Sequence, residues 1–325
     1  MSFPNVSDIV ATTIENRSAK IADNVTKNNA LYMKLDQRGN RKPFSGGNVI
    51  YQELSFAQNG NGGWYSGYDL LPVAASDVIS AAEYNIKQLA CPVTMSGLET
   101  IQNAGKEQMI DLLEGRINVA EATMANLMAE GIYSDGTTYG GKSLTGLGAA
   151  VPALAGASQT TPYGGITGST WSFWQSKYTL SSGAITSSTI QGFMNAMWAE
   201  LVRGTDRPDL IPMDNTMWAL YMASLQAQQR FTSPEVGNLG FPTLKFMDAD
   251  VVLDGGIGGF CPGTTAFFLN TKYLHYRPHS ARNFVSLSPN KRYAINQDAE
   301  VQILAWAGNL TTSGRQFQGR WNGST

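Results

Sequence analysis

The sequence predicts an α+β chain organised around one long helix, and three observations predict it. An alternating segment leads to a glycine-rich tip, a capping box opens a long amphipathic run, and the second half alternates short helical and strand patterns. The 325 residues suffice for two compact domains, or for one with long extensions, and an apolar content of 42% supports a core. Charged residues make up only 15%, against roughly 25% in an average soluble protein. Interface centres are depleted of charge, so this composition suits a subunit that buries much of its exterior against neighbours. A neutral Gly-rich surface would read the same way.

Charge is unevenly placed. Residues 1–46 hold seven basic and four acidic groups, residues 272–325 hold seven and two, and residues 47–135 hold three and eleven. Opposite signs on different segments suit docking between copies, in contacts that weaken as salt rises where they are exposed. No basic run is dense enough for sequence-specific DNA binding. Two cysteines, Cys91 and Cys261, build no disulfide framework and read as small buried hydrophobes made in a reducing cytoplasm. The first residues, Met-Ser-Phe-Pro-Asn-Val-Ser-Asp, show no basic-then-apolar export pattern, and no run approaches the roughly 20 apolar residues of a membrane span.

In chain order, residues 1–46 read as an arm. Ile9, Ile14, Ile21 and Val25 are too sparse to anchor a core helix, so the segment needs a partner surface, and Gly39, Pro43, Gly46 and Gly47 break it into a linker. A hairpin is expected over residues 48–73. Ile50, Gln52, Leu54 and Phe56 alternate with Val49, Tyr51, Glu53 and Ser55, the tip is Asn59-Gly60-Asn61-Gly62-Gly63, and the return strand carries Trp64, Tyr65, Tyr68, Leu70 and Leu71. A second extended stretch follows from Val78 to Met95. Ser96-Gly97-Leu98-Glu99 is a capping box. From it, Leu98, Ile101, Met109, Leu112, Leu113, Ile117, Ala120, Met124, Leu127 and Met128 recur at helical steps until Gly131, the expected stop. Residues 97–130 in one helix would span about 50 Å, the length of a strut.

Residues 131–186 read as loops and short strands. Residues 188–203 form an amphipathic helix ended by Gly204, the strand Asp209–Met213 follows, and a helix capped by Asp214 or Asn215 comes next. Strands are expected at 244–246, 250–253, 266–270 and 273–276, and in the tail at 293–295, 301–307 and 310–317, with a turn at Gly308-Asn309.

One motif invites an enzymatic reading. Gly136-Thr-Thr-Tyr-Gly-Gly141-Lys142-Ser143 satisfies the phosphate-cradling P-loop pattern, with Val251-Val252-Leu253-Asp254 as a candidate metal-binding strand. Its context is wrong: a helix end precedes it, and Leu144-Thr-Gly-Leu-Gly148 is a poor helix start, so a Gly-rich surface loop is expected. His275 and His279 are separated by Pro278 and cannot share a helical face, and Asp248, Asp250 and Asp254 could attract a cation but equally suit strand ends. No catalytic, cofactor-binding or metal-binding residue is expected.

Taken in order, these elements resemble the tailed-bacteriophage major capsid fold: N-terminal arm, extended loop (E-loop), spine helix, peripheral domain and axial domain. The most specific pieces are Gly67-Tyr68-Asp69, Ser96-Gly97-Leu98-Glu99, Ser134-Asp135-Gly136, Phe268-Leu269-Asn270-Thr271-Lys272-Tyr273-Leu274, Asn296-Gln297-Asp298-Ala299 and Gly308-Asn309-Leu310-Thr311. The resemblance implies an arm over 1–46, an E-loop over 47–90 and a peripheral domain over 91–187. It also implies an axial domain over 188–291 and C-terminal strands over 292–325 that return to the peripheral domain. Copies would form hexamers and pentamers of an icosahedral head around double-stranded DNA, with Tyr51, Phe56, Trp64, Tyr65 and Tyr68 contacting a neighbouring subunit. Partners implied are a separate scaffolding protein, since the arm starts almost at Met1, a portal and, optionally, a decoration protein. The absence of Lys and Arg between Lys42 and Lys87 speaks against a covalent E-loop cross-link through lysine. The alternatives are a cellular nanocompartment shell of the same fold and, remotely, a P-loop nucleotide-binding enzyme.

Overall fold

The computed structural model describes residues 29–102, 106–226, 243–255, 259–287, 292–293 and 298–324. Ile9, Ile14, Ile21 and Val25 of the expected arm, the 103–105 join, the Leu113 side chain and Asn296-Gln297 lie outside them.

The capping box opens a helix as its residue types require. Glu99 N–H donates to Ser96 Oγ at 3.2 Å and Ser96 N–H to Glu99 Oε2 at 3.1 Å. Arg116 Nη2 reaches Glu99 Oε1 at 2.6 Å. That bond first, and the Ser96 N–H second, hold the Glu99 carboxyl down at about 2. The helical residues are α1 (Ala30–Gln37), α2 (Gly97–Gln102) and α3 (Lys106–Tyr133), of which the last two make the spine. Ile117, Met124, Met128 and Ile132 of α3 are buried.

Gly131 does not stop α3. The segment after the helix folds back over its end, setting Leu144 Cβ 3.1 Å from where a Gly131 Cβ would stand. The return is close: a Cβ on Gly146 would lie 2.2 Å from Ile132 O, and Gly146 N–H donates to Ser134 O at 3.1 Å. Gly146 thus lets the chain cross the helix terminus, where carbonyls otherwise lack donors.

Two sheets flank the spine. In the first, β11 (Ala299–Thr312) pairs antiparallel with β3 (Lys87–Ser96) on one side and with β9 (Leu274–Ser286) and β10 (Arg292–Tyr293) on the other. The expected Gly308-Asn309 turn is absent, because β11 runs straight through it. Gly308 instead marks a bulge against β9, where a Cβ would sit 2.5 Å from Arg277 O. The second sheet has the order β4 (Lys177–Ala184), β12 (Gly319–Ser324), β8 (Thr265–Phe268), β5 (Leu210–Met213), β7 (Ala249–Leu253) and β6 (Thr243–Phe246). One of its faces packs on α4 (Ile190–Leu201) and α5 (Asn215–Gln226) through Ile211, Met213, Val251, Phe268 and Trp321. The other turns Leu210, Val252, Phe267 and Leu269 toward the first core. Covered on both faces, β5 and β8 are wholly buried, as continuous apolar runs demand. The tail therefore serves both sheets, β10 and β11 the first and β12 the second.

Residues 29–46, the described part of the expected arm, pack on a surface of their own chain. Asn29 caps α1 by accepting from Leu31 N–H at 2.9 Å, and Leu31, Tyr32 and Leu35 are buried. Lys34 Nζ pairs with Asp250 Oδ2 at 2.6 Å, and Arg38 with Asp209 at 3.3 Å. Beyond α1, Lys42 N–H donates to Tyr276 O at 2.9 Å and Ser280 N–H to Phe44 O at 2.9 Å, adding a short parallel ribbon to β9.

Arg315 is 1% exposed and, among the described residues, faces no carboxylate. Its Nε donates to Ala150 O at 2.7 Å, Nη1 to Trp174 O at 3.3 Å and Nη2 to Ala149 O at 3.2 Å, and the guanidinium lies over Tyr163. Burial lowers its pKa to about 10.

Two outcomes are expected. Arg315→Met leaves three core carbonyls without donors, so its unfolding free energy should fall by at least about 3 kcal/mol in denaturant titrations. An unchanged midpoint would remove Arg315 from the support of the loops. At Asp250, burial opposes ionisation, but hydrogen bonds from Lys245 and Lys34 outweigh it and hold the carboxyl below its usual range. A depressed folded pKa adds stability above the unfolded value and loses it as pH falls through the folded one. Lys34→Met raises that folded pKa, so acid unfolding should begin at higher pH in the variant. Coincident acid transitions would show that the pair contributes nothing.

Candidate functional site

The candidate site is a two-stranded ribbon and the loop it carries. β1 (Val49–Ser55) pairs antiparallel with β2 (Ile79–Asn85), joining Ile50 to Tyr84, Gln52 to Ala82 and Leu54 to Ser80. The outgoing strand lies where its alternation puts it. The return strand is not the expected 64–73 stretch: Trp64, Tyr68 and Leu70 fall on one strand parity and Tyr65 and Leu71 on the other, so that stretch offers no single buried face, and Pro72 ends any ladder. Ala82 and Tyr84 supply that face instead.

The ribbon's base is tied to its own chain. Gln52 Oε1 accepts from Arg277 Nη1 and from Thr311 Oγ1, both at 3.2 Å, and Tyr84 OH donates to Thr312 O at 3.2 Å. The Tyr84 ring meets Tyr163 edge-on at 5.2 Å, Tyr163 stacks near Trp174 at 6.2 Å, and Phe56 packs on Phe173 at 5.5 Å. Phe56 N–H donates to Val78 O at 3.1 Å and closes the ladder.

Beyond that bond, among the described residues, the hydrogen bonds of the loop from Ala57 to Asp77 stay within the loop. Asn61 N–H donates to Asn59 Oδ1 at 3.0 Å, Ser66 N–H to Asp69 Oδ2 at 2.8 Å, and Asn61 Nδ2 to Ala74 O. Trp64 (104%), Tyr68 (106%), Leu70 (97%) and Val73 (93%) are fully exposed, with Tyr65 and Leu71 more than half exposed. Of the five residues expected to meet a neighbour, Trp64, Tyr65 and Tyr68 stand on this loop and Tyr51 on the outer face of β1, while Phe56 is occupied by Phe173. Val73 and Ile79 belong with the exposed set and were not expected; Ile79 has the outward parity of β2, a signal available only once the true return strand is known.

The other sequence candidates resolve into structure. The P-loop-like segment follows α3 rather than a strand and runs through Tyr139, Gly140 and Gly141 at positive φ. Ser143 Oγ accepts from Ser134 Oγ at 3.0 Å, and Lys87 Nζ donates to Gly141 O at 2.5 Å. Asp254 accepts from Tyr133 OH and from Asn29 Nδ2, and burial raises its carboxyl above the usual range. Asp248 pairs with Arg207 at 2.7 Å, and Asp250 with Lys34 and Lys245. His275 contacts Ser313 Oγ at 3.3 Å, and burial, with Lys42 and Arg277 adding positive charge, lowers its pKa to about 4. Among the described residues no group of three His, Cys, Asp or Glu is placed to hold a metal, and no helix is long and apolar enough to cross a membrane. Cys261 is buried and Cys91 only half-buried.

No family model and no curated protein matches the sequence. Solved structures do match the fold. A subunit of the cyanophage A-1(L) capsid asymmetric unit aligns over 87% of this chain and 90% of its own, with a TM-score of 0.61 at 15% identity. The capsid of a native GTA particle aligns over 89% of each, with 0.58 at 13%. The capsid of the Myoviridae phage XM1 aligns over 89% and 92%, with 0.50 at 11%. Over nearly nine-tenths of its length, the chain has the fold of these phage and GTA capsid subunits.

Proposed function

We propose that this chain is the shell-forming major capsid protein of a tailed bacteriophage, a structural subunit rather than an enzyme. The observation that carries the reading is the apolar loop 57–77: on a body of capsid fold it exposes Trp64, Tyr68, Leu70 and Val73, and an exposed apolar patch of this extent marks a binding surface. In this reading the loop docks on a neighbouring copy within hexamers and pentamers of an icosahedral virion head. Residues 47–90 are the inter-subunit loop and 91–187 the peripheral body. Residues 188–291, apart from β9, which pairs in the first sheet, form the axial body, and β4, from within 91–187, and β12 join its sheet. Subunits made in the host cytoplasm would assemble with a separate scaffolding protein and a portal around double-stranded DNA, held without sequence-specific contacts.

Negative-stain microscopy of the expressed protein should show shells, tubes or capsomers; a monodisperse monomer under all assembly conditions would count against the reading. Hydrogen exchange should find the β1 amides Val49–Ser55 protected in free and assembled protein alike, and the loop amides protected only after assembly. The double variant Trp64→Ser, Tyr68→Ser should fold with unchanged denaturant midpoint and fail to assemble. Equal loop exchange in both states would reject the docking role.

A further inference from the structure

We propose that Asn59 is a self-modification site, converting to aspartate and isoaspartate through a cyclic imide. The inference does not depend on whether the loop docks. Three Asn-Gly pairs occur: Asn59-Gly60, Asn61-Gly62 and Asn322-Gly323. The chemistry requires the backbone nitrogen after the asparagine to reach the side-chain carbonyl carbon, and a glycine there offers the least hindrance and the widest backbone freedom.

The three pairs share a sequence and differ in surroundings. At Asn59 the side chain curls over the following peptide, its Oδ1 accepting from Asn61 N–H at 3.0 Å. That bond polarises the amide carbon and is placed to stabilise the negative oxygen that forms when the carbon is attacked. A Cβ built on Gly60 would meet nothing within 4 Å, so the backbone has room to turn. At Asn61 both reacting groups are held: Gly62 N–H donates to Asn59 O at 3.1 Å, and Asn61 Nδ2 donates to Ala74 O. At Asn322, in β12, Oδ1 also accepts, from Arg320 Nε at 2.9 Å and Thr265 Oγ1 at 3.2 Å, but the nitrogen that would attack is engaged in the sheet, Gly323 N–H donating to Thr264 O at 2.8 Å.

Base removes the Gly60 amide proton, and the nitrogen attacks Asn59 Cγ. A C–N bond forms, the protonated base returns its proton to Nδ2 as the bond from Cγ to Nδ2 breaks, and ammonia leaves a five-membered imide. Water then adds to either imide carbonyl and breaks one C–N bond, giving aspartate or, with an extra backbone methylene, isoaspartate. No oxidant or reductant is needed. The product adds a carboxylate to a loop that already carries Asp69 and Asp77 and has neither Lys nor Arg.

The test is to incubate the full-length folded protein in mildly alkaline buffer and follow the amide-to-acid mass change at each asparagine by peptide mapping that separates isoaspartate. Conversion at Asn59 should run at least about tenfold faster than at Asn322, a difference of about 1.4 kcal/mol in barrier, with Asn61 between them. In urea the three rates should converge. Gly60→Ala, where nothing crowds the new methyl, should slow conversion at Asn59 several-fold. An Asn59 that stays intact in the folded protein, equal native rates at the three sites, or a Gly60→Ala variant that converts as fast as the parent would each overturn the proposal.

Discussion

The guanidinium of Arg315, buried with no counter-charge among the described residues, is the interaction on which the rest of the structure leans. Its three acceptors belong to two loops that have no sheet of their own: Ala149 and Ala150 follow the chain's return across the end of α3, and Trp174 precedes β4. Trp174 Nε1 donates to Tyr163 O at 2.8 Å, and Tyr163 faces Tyr84 of the ribbon. One tail residue thus joins the spine's C-terminus to the base of the projecting loop. Asn309 and Gln318 extend the principle. Asn309, buried in β11, accepts from Thr145 N–H at 3.1 Å and donates to Asn85 O at 2.9 Å. Gln318 exchanges two bonds of 3.0 Å with the backbone of Asn270, as a strand neighbour would. A buried loop must satisfy its backbone, and here tail side chains do so.

What the sequence made legible were features decided within a few residues. The reciprocal capping box needs only Ser96 and Glu99, the helix Ile190–Leu201 needs only its stripe of apolar residues, and β1 needs only its alternation. What it hid were decisions made across long separations. Whether Trp64–Leu71 or Ile79–Asn85 returns beside β1 depends on which of them can bury a face on a core built largely from the tail. Gly131 and Gly308 read as a stop and a turn because glycine usually ends elements, yet here each lies inside one, beside a close-packed neighbour. Arg315 was invisible for a simpler reason: an arginine in a polar stretch is exposed by default, and only the three-dimensional meeting of carbonyls makes burial affordable. For the candidate site, the exposure of Trp64, Tyr65, Tyr68 and Tyr51 suits their place in a turn-rich loop and on an outward parity, whereas the packing of Phe56 on Phe173 joins residues more than a hundred positions apart, which local pattern does not reveal.

Ribbon and loop divide the work between rigidity and reach. Ordering a residue's backbone costs roughly 1–2 kcal/mol, so a wholly unstructured loop of this length would resist docking. Its turns at Asn59–Gly62 and Ser66–Asp69 and the anchored base at Phe56 and Val78 meet part of that cost before any partner arrives. Against the remainder stand Trp64, Tyr68, Leu70 and Val73, each worth about 1.5–3 kcal/mol if fully buried. Such a loop is held only where several of these side chains are covered together, which favours a shaped receiving surface over chance contact.

The charge gradient read from the sequence needs a different interpretation once the partners are in place. The basic tail looked like a complement for the acidic loop, but most of its described charges are spent at home. Lys272 pairs with Asp206 at 2.7 Å, Arg277 with Gln52, and Arg320 with Asn322 and the face of Phe267, while Arg315 is sealed in the core. On the N-terminal side Lys34, Arg38 and Arg41 hold Asp250, Asp209 and Asp36. The carboxylate partners of these groups are Asp36, Asp206, Asp209 and Asp250, none of them in the acidic 47–135 segment, so few of the basic groups are left to meet that segment on another copy. In the proposed shell that leaves apolar burial, which salt does not screen, as the main attraction available to the loop, with its acidic groups serving to reject wrong surfaces rather than to grip the right one.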